Sequence, residues 1–134
     1  MQVYDLDGHS SLWSFHGNIS NGSIDRKSSY HLRARSVLHK IMPTMQILEE
    51  VKINVRKSQV MYLDFYIPLI KTCIEVHGEQ HYKFVAHYHS NQLAFLQAQK
   101  RDREKQEWCE INKIRYVSLP YNETDVEWEA KILK

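Results

Sequence analysis

Residues 61–82 read MYLDFYIPLIKTCIEVHGEQHY, and their reading decides the fold. Two strands joined by a tight turn are expected. The first covers roughly Tyr62 to Ile67 and is apolar and aromatic around one acid, Asp64. Pro68 interrupts it, because proline cannot donate to a strand ladder. The second covers roughly Lys71 to His77, centres on Glu75 and ends at Gly78. Side chains alternate across a strand, so Cys73, Glu75 and His77 share one face while Ile74 and Val76 share the other. Burying an unpaired carboxylate costs several kcal/mol or shifts its pKa. Two such acids on adjacent strands, with Gln80 and two imidazoles close by, suggest a metal site. Mg²⁺ is usually held by one or two carboxylates plus water and substrate phosphate.

Working outward, residues 1–27 are expected to form an extension. Gln2 to Asp5 and Ser11 to Phe15 read as short strands around the turn pair Asp7-Gly8. Asp5 and Asp7 lack the later ligands of a calcium loop, and Gly17 to Ser23 reads as a loop. Ser28 or Ser29 can cap a helix reaching about Met42, with Tyr30, Ala34, Val37, Leu38 and Ile41 as its apolar stripe. Gln46 to Val55 has strand periodicity. It sets Ile47, Glu49, Val51, Ile53 and Val55 on one face, so Glu49 is the unusual acid and Glu50 the ordinary one.

A long helix is expected from about Asn91 to Asn112. Leu93, Ala94, Leu96, Ala98, Trp108 and Ile111 supply its apolar area. Phe95, Ala98, Asp102, Lys105 and Cys109 follow one inclined face. Ile114 to Leu119 is a strand closed by Pro120. Glu123 to Leu133 is a last helix with Val126, Ala130 and Leu133 on one side. The long helix suits a crossover connection to the last strand, and the three consecutive strands suit an antiparallel meander.

The chain of 134 residues suits one domain. No apolar run is long enough for a transmembrane helix. The N-terminus lacks a signal-peptide pattern. Cys73 and Cys109, the only cysteines, fit a reducing cytoplasm better than a disulfide framework. The net charge of +2 is too small to establish a nucleic-acid partner by itself.

The α-β-β-β-α-β order, with Leu63-Asp64 on the second strand and Glu75-Val76-His77 on the third, resembles the PD-(D/E)xK nuclease fold. DFYIP…IEVHGEQHY, followed by KRDREKQEWC and Ile114–Leu119, is more specifically similar to the branch related to the very-short-patch mismatch repair endonuclease. Within that branch it is close to phage EDxHD homing endonucleases.

The resemblance implies an α/β (α+β mixed sheet) fold with a restriction-endonuclease-like core over residues 28–120, an N-terminal hairpin over 1–27 and a C-terminal helix over 121–134. It implies a metal-dependent DNA endonuclease using Mg²⁺ or Mn²⁺, acting on double-stranded DNA in the cytoplasm of a phage host, with a homodimer as the simplest route to double-strand cutting. Asp64 matches the metal-binding acid and Glu75 the second acid. His77 stands at the usual lysine position, with His81 near a second family histidine. Asp102 matches a helix acid that orients an active-site histidine. The early acid is Glu49 or its neighbour Glu50. The general base is His77, His81 or Lys105.

Candidate DNA contacts are Arg33, Arg35, Arg56, Lys57, Gln80, Lys100, Arg101, Arg103 and Lys105. Three alternatives stand beside this reading. One is a catalytically inactive nucleic-acid-binding module of the same fold, and another is a mismatch or repair nicking endonuclease. The third is a structural zinc protein using His77, His81, His87 or His89 with Cys109.

Overall fold

The computed structural model describes residues 1–15, 17–20, 28–86 and 89–134. Among these, β1 (Gln2–Tyr4) and β2 (Ser10–Leu12) pair as an antiparallel hairpin. Asp5 builds its turn, with Oδ1 accepting from the backbone N–H groups of Asp7 and His9 at 2.9 and 3.0 Å. Gly8 takes φ +88°, which suits a residue without a side chain. β3 (Asn18–Ile19) follows, a short strand where a loop was expected.

α1 (Ser29–Ile41) is capped by the Ser28 hydroxyl, which accepts from the His31 N–H. β4 (Leu48–Arg56), β5 (Gln59–Ile67) and β6 (Thr72–His77) form the antiparallel meander. α2 (Gln92–Ile111), capped by Asn91, crosses over to β7 (Arg115–Pro120), which runs parallel to β6. α3 (Asp125–Leu133) starts in a capping box made by Thr124 and Glu127. The larger sheet therefore has the order β3-β4-β5-β6-β7 and is mixed.

Each face of this sheet has its own core. One face packs Val51, Ile53, Leu63, Tyr66 and Cys73 against Trp108 and Cys109 of α2, with Trp13 closing the side. The opposite face packs Phe65, Ile67, Ile74 and Leu119 against Leu38 of α1 and Trp128 of α3. No helix among the described residues is long and apolar enough to cross a membrane.

Three expected faces differ from those observed. In β4, Val51, Ile53 and Val55 face α2, but Ile47 packs in the α1 layer and Glu49 bonds to α1 side chains. Glu50 causes the reversal, because its φ of +53° breaks the two-residue alternation. In α2, Leu93 and Leu96 are 62% and 56% exposed, since the N-terminal half of the helix projects past the core that holds Trp108 and Cys109. In α3, Val126 and Leu133 are exposed, and Trp128 and Ile132 face inward. The Trp128 indole sets that phase, fully buried and donating to the Pro120 carbonyl at 2.9 Å.

Candidate active site

The ladder between β5 and β6 is short: Ile67↔Thr72, Tyr66↔Cys73 and Phe65↔Ile74. Beyond it the strands part. β5 continues beside β4 alone, while Glu75, Val76 and His77 pair with Ser118, Leu119 and Pro120 of β7. The parting coincides with the alternation break, since Leu63 packs toward α2 and Phe65 toward α1 with Asp64 between them.

The two acids sit in this fork and replace main-chain bonds. Asp64 N–H donates to Glu75 Oε2 at 2.6 Å, and Val76 N–H donates to Asp64 Oδ2 at 2.9 Å. From α2, Lys105 Nζ donates to Glu75 Oε1 at 2.6 Å. Burial, joined by the Asp64 charge, pushes Glu75 up to about 7 against the pull of Lys105. Burial alone would lower Lys105, but Glu75 and Asp64 outweigh it and hold the ammonium charged.

A second group adjoins the first. After β6, Gly78 opens a 3₁₀ turn over Glu79–His81. A side chain on Gly78 would meet Gln80 Oε1 at 2.6 Å, the movable end of a flexible side chain. The turn stacks His81 on His77, with ring centroids 4.4 Å apart and planes 12° apart. His81 Nδ1 lies 2.7 Å from Asp102 Oδ2. Burial would raise Asp102, but the His81 hydrogen bond and charge hold it below its ordinary value. His77 is buried, and burial followed by His81 lowers it to about 4, so it is neutral near pH 7. Its Nε2 lies 3.3 Å from the Tyr116 hydroxyl. Burial pushes the Tyr116 phenol above its ordinary range, so that hydroxyl stays protonated.

Asp64, Glu75, His77, His81, Asp102 and Lys105 therefore converge around the fork, from β5, the C-terminal half of β6, the turn after it and the middle of α2. The i,i+3 spacing of Asp102 and Lys105 serves both groups from one helix face. Tyr116 was not anticipated. The alternation of IRYVSL is the signal the sequence offered for it; the parallel pairing of Cys73 with Tyr116, which brings it beside His77, is set by the tertiary fold.

Glu49 is not brought to this group. It is buried on the α1 side, where Arg35 Nε and Nη2 donate to it at 2.8 and 2.9 Å. Ser20 Oγ donates at 2.5 Å, and His31 Nε2 lies 2.7 Å away. Burial would raise Glu49, but Arg35, Ser20 and His31 bring it down to about 2. Glu50 is exposed on the strand beside it.

The expected DNA contacts separate in the same way. Arg35 is buried against Glu49, away from any surface a phosphate could reach. Arg33 pairs with Asp125 and lies over the Trp128 ring at 3.7 Å. Arg56 pairs with Glu104 and Asp7. Of these three, Arg35 is enclosed by the fold, while Arg33 and Arg56 are paired but partly open. Lys57, Lys100, Arg101 and Arg103 are exposed, and Gln80 is half-buried in the turn.

The zinc set is not assembled among the described residues. His89 accepts from Val85 N–H and packs on Phe84 and Phe95, while Cys109 lies in the core. His87 lies outside the described residues, as do residues 21–27 of the expected extension.

For a metal ion, two donor sets fit on chemistry. Asp64 and Glu75 offer the hard oxygens that Mg²⁺ or Mn²⁺ prefers, and no hydrogen bond reaches Asp64 Oδ1 among the described residues. His77, His81 and Asp102 offer ligand atoms lying within 4.8 Å of one another.

No family model matches the chain, and no solved structure matches it. It is 39% identical over 64 residues to uncharacterized protein 307L of Invertebrate iridescent virus 6, a match covering 48% of this chain and 32% of the relative. It is 33% identical over 76 residues to uncharacterized protein 094L of Frog virus 3, covering 56% of this chain and 49% of the relative. A third match, 34% over 59 residues, is to uncharacterized protein 033L of Invertebrate iridescent virus 3 and covers 44% of this chain and 30% of the relative. The matched chain thus spans less than half the length of each relative. These relatives are iridovirus proteins, where the sequence resemblance implied a phage.

Proposed function

We propose that this chain is a metal-dependent DNA endonuclease, a single nuclease domain with a restriction-endonuclease-like core of the very-short-patch-repair-like branch. One observation carries the reading: Asp64, Glu75 and Lys105 meet in the fork between β5 and β6, with the His81–Asp102 pair alongside. A fold needs none of these charges there, because apolar side chains would fill the space without desolvation cost.

Asp64 and Glu75 would hold Mg²⁺ or Mn²⁺, which when bound stabilises charge on the phosphate and acidifies water. The chain's own residues do the rest. Asp102 fixes the His81 ring through Nδ1 and leaves Nε2 for a proton of the attacking water. His81 is the better base of the two histidines because it is more open and oriented, whereas His77 lies beneath it beside Tyr116. Lys105 holds Glu75 in place and lends positive charge near the phosphate. Lys57, Lys100, Arg101 and Arg103 supply phosphate contacts, and a two-fold pair of chains supplies double-strand cutting.

The test is plasmid nicking with Mg²⁺, with Mn²⁺ and with chelator, using wild type and Asp64→Asn. Metal-dependent nicking that Asp64→Asn abolishes is expected. Equal cutting by both proteins refutes the assignment. A second reading, a nucleic-acid-binding module that does not cut, is favoured by one observation. Glu75 has both oxygens engaged within the protein, by Asp64 N–H and Lys105. Tight DNA binding without cutting under any divalent ion would select it.

A further inference from the structure

The ammonium of Lys105 and a divalent ion seek the same oxygens. Three of the four carboxylate oxygens of Asp64 and Glu75 accept a hydrogen bond within the chain. Glu75 Oε1 accepts from Lys105 Nζ and Oε2 from Asp64 N–H, each at 2.6 Å, and Asp64 Oδ2 accepts from Val76 N–H at 2.9 Å. Two of these donors are main-chain amides without net charge. The third is a whole positive charge on a flexible stem. The Lys105 side chain is only 16% exposed and that of Glu75 only 3%, so little water screens the pair. A neutral donor would satisfy Oε1 equally well, so the charge is the part that the shape of the fork does not require.

Resting on the endonuclease reading, we infer that Lys105 is a built-in competitor for the divalent ion at Asp64 and Glu75. A substrate phosphate draws it away, so DNA and metal are taken up together. Mg²⁺ and Mn²⁺ bind oxygen at about 2.1 Å. An ion sharing Oε1 with Lys105, whose Nζ lies 2.6 Å from that oxygen, is therefore no more than about 5 Å from the ammonium. Like charges that close repel, and the fork screens them poorly.

The same geometry gives Lys105 a second place to go. It follows Asp102 by three residues on one helix face, and Asp102 holds His81. The phosphate must come to His81 for that imidazole to serve as base. A lysine is a compact charge on a four-carbon stem with three donors, so it can exchange a carboxylate for a phosphate while α2 stays in place. The exchange frees Glu75 Oε1 and removes the repelling charge. The coupling is reciprocal: whatever factor DNA adds to metal affinity, metal adds to DNA affinity.

The experiment measures Mn²⁺ binding to the DNA-free protein by electron paramagnetic resonance at pH 8.5, where protons compete least for the acids. It compares wild type with Lys105→Met, with Lys105→Gln, which keeps a donor for Oε1 in case the methionine variant does not fold, and with Lys105→Arg. Thermal melting checks each fold. The two neutral variants are expected to bind Mn²⁺ at least about tenfold tighter, because a charge about 5 Å from a divalent ion is worth that even at the dielectric of water. Lys105→Arg should stay near wild type. Adding Asp64→Asn should abolish the gain, which places the ion at the acid pair and not at His77, His81 and Asp102. A short DNA duplex should raise the Mn²⁺ affinity of His81→Ala, which cannot cut, more than that of His81→Ala/Lys105→Gln.

A folded neutral variant that binds Mn²⁺ no tighter than wild type overturns the proposal. So does a gain that survives Asp64→Asn, or a duplex that raises Mn²⁺ affinity equally with and without Lys105. The two readings fail separately. Tighter Mn²⁺ binding by the neutral variants, with no nicking by wild type, removes the nuclease and leaves the competitor. Nicking by wild type, with Mn²⁺ affinity indifferent to Lys105, does the reverse.

Discussion

Glu75→Gln tests whether the fork stores an unfavourable charge. Glu75 is buried beside Asp64, and its carboxyl is raised from 4.5 to about 7. The folded chain therefore binds a proton that the unfolded chain has released across that window. Stability is greatest below pH 4.5 and falls as pH rises to about 7. At about 1.36 kcal/mol per pKa unit, the full fall due to Glu75 is about 3 kcal/mol. On a domain of this size that corresponds to about 10 °C in Tm.

Glutamine keeps the shape but cannot ionise, so the variant lacks this fall. It adds a roughly constant cost of about 1–3 kcal/mol, because its amide cannot accept from both Asp64 N–H and Lys105. The assay is urea unfolding of both proteins from pH 4.5 to 7.5 in chelator, followed by circular dichroism. The wild type should lose stability relative to the variant as pH rises, by about 3 kcal/mol in all. His77 contributes an opposite slope, but both proteins carry it, so the difference isolates Glu75. A stability difference that stays flat across the range refutes the reasoning.

His77 itself, lowered from 6.5 to about 4, should stabilise the fold above pH 6.5 and lose that contribution as pH falls toward 4. His77→Phe should flatten this part of the unfolding profile. Glu49→Ala should cost about 3–5 kcal/mol by leaving Arg35 buried without its carboxylate, and calorimetry will read it. A loss below about 1 kcal/mol, typical of an exposed pair, would show the network to be unimportant. In single-turnover cleavage, His81→Ala should lose about a hundredfold or more, and Asp102→Asn should lose less, with a shifted pH–rate profile. If His77→Ala is the larger loss, the base assignment passes to His77.

The element order was legible in the sequence because periodicity reports which faces are buried. The apolar and aromatic run Tyr62 to Ile67, the alternation around Glu75, the helical spacing from Phe95 to Cys109 and the turn at Asp7-Gly8 each specify local structure. Asp102 and Lys105 were placed on the inner side of α2 by spacing alone, and they lie there. Periodicity could not report Glu50. A single residue at φ +53° reverses which side chains face which layer, and no propensity of glutamate announces it. The same reversal sends Glu49 to Arg35 on α1 and keeps it out of the fork that holds Asp64, Glu75 and Lys105.

The basic residues were equally opaque. Arg33, Arg35 and Arg56 read as free surface charge, yet each has a carboxylate partner distant in sequence. Amphipathic spacing also misphased α3, because the volume of Trp128 outweighed Val126 and Leu133 in choosing the inward face. Sequence spacing determined which elements form and which residue types they carry. Pairings across the sheet, made only when distant segments meet, decided which charges remain for chemistry.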